Sequence, residues 1–352
     1  MKMDKRYISK LAKKTIFYIL ITGIALIIIT PIYFLVSLSF LSSREAYQYP
    51  LPLVPAFSSE FKLEKGRKGY LLSIYDPREK GFETLIDTRH LDKISRYMRT
   101  ELNVTMSPEE IKKYTDKLKT QKEVYFKRPK NIFYNYITFF NVTRDAVPAL
   151  IRSLEIAGLT ILISLSIGGM AGYAFARYMF KGKNFLKVSV LFVRVFPAVA
   201  IAMPMVVILA RIGFYDKPIG LSLVYSVGSI ALTIWITASI FMGISVELEE
   251  AAQVFGATKI RTFLNITLPL ALPGLAACAM YAFIGAWNET VSALILTQFN
   301  PTFSVVVYQS LLGASGQVNL TAAGGISMAL PMVIFTLFIR RYINQMWGGV
   351  KV

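Results

Sequence analysis

Few residues of this chain have the type and spacing that catalysis requires. His90 is the only histidine, and Cys278, the only cysteine, lies inside an apolar run. The usual Ser-His, Cys-His and zinc constellations therefore lack their partners, which argues against a hydrolase or a metalloenzyme. The phosphate-binding pattern GxxxxGK(S/T) is also absent from the sequence. We predict no catalytic residue, no metal site and no cofactor bound by this chain.

A polar segment at residues 245–268 instead favours recognition of another protein. Ser245 can cap a short helix whose first turn is acidic, where the helix dipole favours negative charge. The acidic residues are Glu247, Glu249 and Glu250. Gly256 permits the backbone conformation that ends this helix, and a second helix is predicted from Thr258. The segment lies between two uncharged apolar runs, so an amphipathic helix resting on a lipid surface is the alternative interpretation.

The elements that position this segment are predicted to be membrane helices. The 352 residues are 54% hydrophobic and only 17% charged. Several apolar runs reach the roughly 20 residues that a helix needs to cross a bilayer. We predict an all-α polytopic membrane protein with six crossings, near residues 15–39, 149–175, 186–210, 218–243, 270–296 and 321–340. The first run is longer than the core of a signal peptide, so it is expected to be a retained anchor.

The distribution of lysine and arginine predicts the orientation of these helices. With the N-terminus inside, the basic residues of the short cytoplasmic segments are Lys2, Lys5, Arg6, Lys10, Lys13, Lys14, Arg177, Lys181, Lys183, Lys187, Lys259, Arg261, Arg340, Arg341 and Lys351. The opposite short loops hold only Arg211 and Lys217. Because basic residues favour the cytoplasmic side, both termini are predicted to be cytoplasmic. Since orientation alone requires a basic side, the net charge of +18 does not imply a nucleic-acid partner, and none is expected.

Between the first two predicted crossings lies a polar segment, residues 41–147, that we expect to be extracytoplasmic. Gly69–Tyr75 and Phe82–Asp87 flank a turn and predict a hairpin. A capping box that begins at Ser107 predicts a helix after it. The predicted parts are a cytoplasmic N-terminus with the first helix (1–40), a small α+β insert (41–147) and a five-helix core (148–352). The role of the insert stays open among docking a solute-binding protein, bracing a partner subunit and stiffening the outer face.

The order of residues in the polar segment resembles the EAA loop of binding-protein-dependent ABC importer permeases, and we name residues 245–268 the EAA loop. The matching residues are Glu250, Ala251, Ala252, Gly256, Ala257, Phe263, Ile266, Leu268 and Pro269. Phe255 departs from the pattern, because an aspartate usually precedes the glycine. Residues 285–289 are similar to a segment of carbohydrate-type permeases, in particular the smaller permease subunit of maltose/maltodextrin importers. The resemblance covers residues 5–40 and about 147–352 and does not account for the insert.

This resemblance implies a six-helix permease fold of the MetI-like type in a prokaryotic plasma (inner) membrane. The implied function is translocation of a sugar such as maltose, maltodextrin or trehalose. The implied partners are a second permease subunit in a heterodimer, two ATPase subunits that bind ATP and Mg²⁺, and an extracytoplasmic solute-binding protein. The EAA loop would dock in a groove of an ATPase, with Glu250 as anchor. Ala251 and Ala252 would permit close approach, and Gly256 would give the bend.

Trp287, Asn288 and Glu289 are candidates for a translocation pathway, because an acid inside a membrane is costly unless it faces a cavity or a partner. The alternatives are an interfacial contact for Glu289 and a membrane-interface anchor for Trp287. For Arg194 we favour a structural ion pair or interfacial hydrogen bond. Two other functions stay open. An ion-coupled secondary carrier would require several intramembrane carboxylates, and a membrane anchor for the outer segment would leave the EAA loop unconstrained.

Overall fold

The computed structural model describes residues 5–143, 145–313 and 317–347. Lys2 and Lys351, which contribute to the predicted orientation, lie outside the described residues. The chain divides into two compact units. The first consists of Met1–Val142 with Gly313–Ile326, and the second of Thr143–Leu312 with Ser327–Val352.

The first unit contains a long apolar helix, a four-stranded antiparallel sheet and several shorter helices. Its helices are α1 (Lys5–Phe40), α2 (Ser43–Ala46), α3 (Leu91–Leu102), α4 (Pro108–Lys117) and α5 (Tyr134–Val142), and α15 (Val318–Trp347) begins in it. Its strands are β1 (Ser58–Lys65), β2 (Tyr70–Asp76), β3 (Gly81–Thr88) and β4 (Glu123–Pro129), in the order β3-β2-β1-β4. The segment Lys13–Phe40 of α1 is long and apolar enough to cross a membrane, in agreement with the predicted first crossing.

The sheet follows the alternation of apolar and polar residues in its strands. Ser59, Phe61 and Leu63 of β1 are buried, whereas the alternate residues Glu60 and Lys62 are exposed and half-buried, respectively. Because side chains alternate across a strand, one face of the sheet is apolar. Ile94 and Met98 of α3 pack into the core on that face. The segment therefore has a hydrophobic core of its own.

Both local predictions for this segment are confirmed. Strands β2 and β3 form the predicted hairpin, with Tyr75 opposite Phe82. Helix α4 begins with the predicted capping box. The Ser107 hydroxyl accepts a hydrogen bond from the Glu110 N–H at 3.2 Å, and the Glu110 carboxylate accepts one from the Ser107 N–H at 3.0 Å. Two donors at the helix start are thereby satisfied.

A buried asparagine connects the helices of the first unit. The Asn135 side-chain amide donates to the carbonyl oxygens of Ser39 at 2.8 Å and Leu41 at 2.7 Å, near the end of α1. Its oxygen accepts hydrogen bonds from the amides of Asn103 at 3.3 Å and Asn319 at 3.1 Å. Asn135 is fully buried, so these bonds replace the water that the amide loses. One side chain thus joins α1, α5, the end of α3 and the start of α15.

The second unit consists of helices. They are α6 (Ala146–Arg177), α7 (Lys183–Phe192), α8 (Ala198–Arg211), α9 (Pro218–Gly243), α10 (Val246–Val254), α11 (Lys259–Thr262), α12 (Leu268–Asn288), α13 (Val291–Leu296), α14 (Phe303–Leu312) and the rest of α15. A π-helical turn, Phe263–Thr267, joins α11 to α12. Across the described residues of the chain, five helical segments are long and apolar enough to cross a membrane: Lys13–Phe40, Ala146–Arg177, Pro218–Gly243, Lys259–Asn288 and Val318–Ile343.

The third predicted crossing, at 186–210, is wrong as a single continuous helix. Lys183–Val195 and Val199–Arg211 meet at a bend of 96°. Phe196 and Pro197 between them have extended backbone, with ψ of 127° and 131°. Proline has no N–H for the helical ladder, and its ring disfavours helical backbone at the preceding residue. The number of crossings in the described chain rises from five to six if this bent pair is one span.

The fifth predicted crossing, at 270–296, ends earlier than expected, and the apolar helical segment that contains its first part begins at Lys259. Helix α12 ends at Asn288, and Glu289 has extended backbone with ψ of 119°. Helix α13 then begins at Val291 as a separate short element. The apolar run 290–296 therefore continues outside the long helix.

Helices α6 and α9 pack closely through glycine. A Cβ atom at Gly168 would lie 2.8 Å from the Cβ of Thr233. A Cβ at Gly172 would lie 2.9 Å from the Cβ of Thr237 and 3.0 Å from the backbone nitrogen of Ala238. These distances are shorter than van der Waals contact, so a side chain at either position requires the two helices to separate.

We expect Gly172→Val to destabilise the second unit by about 1–3 kcal/mol, the usual cost of overpacking a close helix contact. The matched control is Gly158→Val on the same helix, where an added Cβ meets nothing within 4 Å. Thermal unfolding of the purified chain in mild detergent provides the measurement. Equal melting temperatures for the two variants would contradict the inferred helix contact.

Candidate functional site

The EAA loop has the two-helix form that the sequence predicts. The Ser245 hydroxyl accepts a hydrogen bond from the Glu247 N–H at 3.2 Å and caps α10. Gly256 has φ of +89°, the left-handed region in which a side chain is strained, and it directly follows the end of this helix. Thr258 caps α11 by accepting from the Arg261 N–H at 3.3 Å. Local hydrogen bonds and one glycine therefore define the shape of the loop.

A buried ion pair attaches the EAA loop to the helix bundle. The Glu249 carboxylate accepts hydrogen bonds from the Arg177 guanidinium at 2.8 and 2.9 Å. It also accepts from the hydroxyls of Tyr173 and Thr267, both at 2.9 Å. The side chains of Arg177 and Glu249 are only 9% and 7% exposed. Because both charges are paired and hydrogen-bonded, this burial is tolerated.

Arg177 extends the same network to the end of α9. Its guanidinium donates to the carbonyl oxygens of Phe241 at 2.7 Å and Ile244 at 3.0 Å. The last carbonyls of a helix have no partner within the helix, and a cation there also favours the helix dipole. Arg177 at the end of α6 therefore holds α9 and α10 together.

The ionised form of Glu249 is favoured by these contacts. Burial alone raises the pKa of this carboxyl group. The hydrogen bonds from Arg177, Thr267 and Tyr173 outweigh burial and hold the pKa of Glu249 below its ordinary value of 4.5. Glu249 is therefore a permanent anion at neutral pH.

The second half of the EAA loop packs onto the bundle through aromatic rings. Phe263 lies 4.7 Å from Tyr173 and 6.1 Å from Phe241 between ring centroids. Leu268 is partly buried in the same cluster. Ile266 is half-buried, whereas Pro269 in the first turn of α12 is exposed. Phe263 and Leu268 therefore act in the attachment of the loop.

The first half of the loop presents an uncovered surface. Glu250 and Ala251 are exposed, and Ala252 and Ala257 are half-buried. The surface also contains three strongly exposed apolar side chains, Val254 (85%), Phe255 (91%) and Ile260 (74%). Exposed apolar residues in such a group are typical of an interaction surface. We name Glu250, Ala251, Val254, Phe255 and Ile260 the exposed face of the EAA loop.

Sequence reasoning missed the role of Glu249 in attaching the loop to the bundle, whereas the expected ATPase contact of its neighbour Glu250 stays a prediction. A signal for it was present. Tyr173 and Arg177 are four residues apart and so lie on one face of α6. An arginine that ends an apolar run requires an acidic partner or free carbonyl oxygens when it is buried. Neither observation identifies which of three nearby glutamates is the partner.

The three candidate pathway residues are not equivalent. Trp287 is 2% exposed, stacks on Phe283 at 5.5 Å and donates its indole N–H to the Met328 carbonyl at 2.9 Å. These contacts favour a packing role. Asn288 is exposed, and Glu289 is half-buried and borders a groove of about 580 Å³ beside Arg194. The Arg194 guanidinium donates a hydrogen bond to the Tyr281 hydroxyl within this chain, and the expected ion pair or interfacial hydrogen bond of Arg194 stays a prediction.

Comparison with known proteins places this geometry in a family. Residues 164–347 match the family model of the binding-protein-dependent transport system inner membrane component. The trehalose transport system permease protein SugB of Mycobacterium tuberculosis is 35% identical over 199 residues, which are 55% of this chain and 73% of that protein. The trehalose/maltose transport system permease protein MalG of Thermococcus litoralis is 32% identical over 219 residues, which are 61% of this chain and 78% of that protein.

A solved structure shares the fold. It is that of a bacterial ABC transporter involved in the import of the acidic polysaccharide alginate, with a TM-score of 0.61. The alignment covers 97% of this chain and 99% of that one at 16% identity. At this identity the likeness concerns the fold alone.

We expect Glu249→Ala to destabilise the protein by about 3–5 kcal/mol, because it leaves the buried Arg177 charge without its partner. The control is Glu250→Ala, an exposed substitution expected to change stability by less than about 0.5 kcal/mol. Thermal and denaturant unfolding in detergent measure both. A similar stability loss in the two variants would show that the Glu249 contact is not specific.

The ion pair also predicts a dependence on pH. Because the pKa of Glu249 is lowered in the folded chain, its stabilisation is complete above the ordinary value of 4.5 and is lost as the pH falls through the lowered pKa. We expect the melting temperature of Glu249→Gln to fall less than that of the unchanged chain between pH 6 and pH 3. Parallel curves for the two proteins would contradict this assignment.

Proposed function

This chain belongs to the family of binding-protein-dependent transport system inner membrane components, and from that premise we propose that it carries a di- or oligosaccharide across a prokaryotic plasma membrane. It is a sugar-type ABC importer permease, a membrane component that is not itself an enzyme. Maltose, maltodextrin and trehalose are the proposed substrates. The names of the two relatives support this choice, since they are transport proteins for trehalose and for trehalose or maltose.

The proposed transporter contains several chains. A second permease would complete a heterodimer, and two ATPase subunits would bind ATP and Mg²⁺ and supply the energy. An extracytoplasmic solute-binding protein would deliver the sugar. The absence of a phosphate-binding loop from this sequence supports ATP hydrolysis on a separate subunit.

The exposed face of the EAA loop is the proposed contact with an ATPase. One observation supports this most directly: the loop is anchored from behind by the buried Glu249–Arg177 pair while its other face is uncovered. A rigid attachment can transmit a displacement, whereas a loosely held loop would absorb it. Movement of the ATPases would thus be passed to α6, α9 and α12. Phe255, where an aspartate is usual, would make the contact more apolar.

The proposed topology has six crossings, with the bent pair α7 and α8 as the third and both termini in the cytoplasm. The basic residues of the short segments support this orientation. The position of the EAA loop between the fourth and fifth crossings then places it in the cytoplasm, on the side where ATP is available.

The two alternative functions are disfavoured. An ion-coupled carrier does not need a loop anchored by a buried ion pair, and family membership is in ABC importers. A membrane anchor for the insert would leave the EAA loop without constraint, in contrast to the capped and paired loop observed.

Substitution of Ala251 tests the proposed contact. Ala251 is exposed, so Ala251→Arg is expected to leave folding unchanged while blocking close approach of a partner. A clash at the centre of an interface costs at least about 2 kcal/mol, or roughly 30-fold in affinity. We expect ATP-driven uptake of maltose or trehalose by the complex in proteoliposomes to fall by at least about tenfold.

The size-matched control is Ala251→Ser, which is expected to retain uptake and co-purification with the ATPase subunits. Normal uptake and ATPase co-purification in Ala251→Arg would reject the exposed face as the contact. Absence of ATP-driven sugar uptake in the unchanged complex would reject the proposed substrate class.

A further inference from the structure

Residues 47–57 of the first unit have a composition unlike the rest of the insert, and we name them the 47–57 loop. The loop connects α2 to β1 and contains no helix or strand. Its sequence, YQYPLPLVPAF, has no charged residue. Tyr49 is 98% exposed, and Leu53, Val54 and Phe57 are 59%, 66% and 66% exposed. A group of exposed apolar side chains is typical of an interaction surface.

One residue, Lys130, holds both ends of the loop. Its ammonium group pairs with the Glu45 carboxylate, just before the loop, at 2.6 Å. Its N–H donates to the carbonyl oxygen of Phe57, the last residue of the loop, at 2.8 Å. The side chains of Lys130 and Glu45 are only 5% and 14% exposed, so the ion pair is largely shielded from water. A loop whose ends are fixed together displays its tip in a defined position.

The tip of the loop lies beside the membrane helix α1. The Leu53 carbonyl oxygen accepts hydrogen bonds from the Tyr33 hydroxyl at 2.6 Å and the Ser37 hydroxyl at 3.0 Å. The apolar run of α1 begins after Lys14, and about 20 helical residues cover the roughly 30 Å of a hydrocarbon core. Counted from Lys14, the core ends at about residue 34. The tip is therefore level with the boundary between acyl chains and headgroups.

The backbone of the loop is suited to an environment with little water. Pro50, Pro52 and Pro55 have no N–H, which removes three donors from an irregular segment. The carbonyl oxygens of Leu53 and Phe57 accept the hydrogen bonds described above. Irregular backbone close to the hydrocarbon region is costly unless its polar groups are satisfied. These features therefore favour contact with the membrane over full exposure to water.

The side chains of the loop also match the membrane interface. Tyrosine is enriched at the level of the headgroups, because its ring is apolar and its hydroxyl is polar. Leu53, Val54 and Phe57 supply apolar surface next to Tyr49. This surface continues that of α1, whose most apolar part is not buried within the described chain. A soluble protein could reach the loop only through the headgroup layer, so lipid is the occupant that this position favours.

We propose that the 47–57 loop inserts into the membrane interface beside α1 and holds the insert against the bilayer. Its occupants are the headgroups and upper acyl chains of the leaflet in which α1 ends. In the proposed topology this is the outer leaflet. This role differs from the three considered for the insert and goes beyond the proposed function, because it does not depend on which solute is carried.

Spin labels measure the depth of the loop. Val54→Cys and Gln121→Cys are each combined with Cys278→Ala, and the complete transporter is reconstituted with cysteine-free partner subunits in vesicles of phosphatidylethanolamine and phosphatidylglycerol. Gln121 is the control, because it is exposed and precedes β4 at the end of that strand opposite to Lys130. We expect the label at position 54 to collide more with oxygen, which concentrates in lipid, than with a water-soluble nickel chelate. The reverse is expected at position 121.

Two results at position 54 would overturn the proposal. Stronger collision with the nickel chelate than with oxygen would show that the loop lies in water. Weak collision with both reagents would show that protein covers the loop, as in a contact with the second permease.

A second test adds charge to the loop. Leu53→Asp combined with Phe57→Asp changes two exposed side chains, so we expect folding to be unchanged. We expect the ratio of oxygen to nickel collisions at position 54 to fall by at least about tenfold, because two apolar side chains no longer favour burial in lipid. The matched control, Leu53→Ile combined with Phe57→Leu, is expected to retain the ratio.

An unchanged ratio in the aspartate variant would contradict insertion by these side chains. Loss of co-purification with the second permease in the aspartate variant alone would assign the loop to a subunit contact and reject lipid as its occupant. Sugar uptake does not enter either measurement, so this proposal and the proposed function can fail separately.

Discussion

The buried Glu249–Arg177 pair is the interaction on which the second unit of this permease depends. It lies where three elements end or begin: the last turn of α6, the carbonyl end of α9 and the start of α10. A buried pair of this kind contributes little net stability compared with apolar packing, because both ions lose their hydration. The ion pair instead determines the position of the EAA loop. Each hydrogen bond fixes a direction, and Tyr173 and Thr267 complete the shell, so the EAA loop has one position relative to the bundle.

The two adjacent glutamates of α10 have different surroundings and therefore different tasks. Glu249 faces inward and attaches the loop, whereas Glu250 faces outward and is free for a partner. The exposed face is then shaped by Gly256, whose left-handed backbone turns the chain after α10. Val254 and Phe255 are displayed at this turn. In the proposed complex, an apolar contact at Phe255 would depend less on salt than an ion pair would.

Much of the local structure could be predicted from sequence, because caps and turns are encoded by adjacent residues. The box at Ser107, the β2–β3 hairpin, the cap at Ser245 and the bend at Gly256 all belong to this class. Prediction failed where the outcome depends on distant partners or on one residue within an apolar run. Pro197 breaks the third span although the run around it is long enough for a helix. The attachment of the loop through Glu249 was missed because it depends on Arg177, 72 residues earlier in the chain.

The close packing of α6 and α9 relates the EAA loop to the groove. Glycines at 168 and 172 bring α9 against α6, and Arg177 binds the end of α9 at the same time. Helix α9 also carries Tyr225 and Gly228 in the groove wall, more than three turns before that end. Since tightly packed helices move as a unit rather than deform continuously, a displacement of the loop would move α6 and α9 together and carry Tyr225 with them.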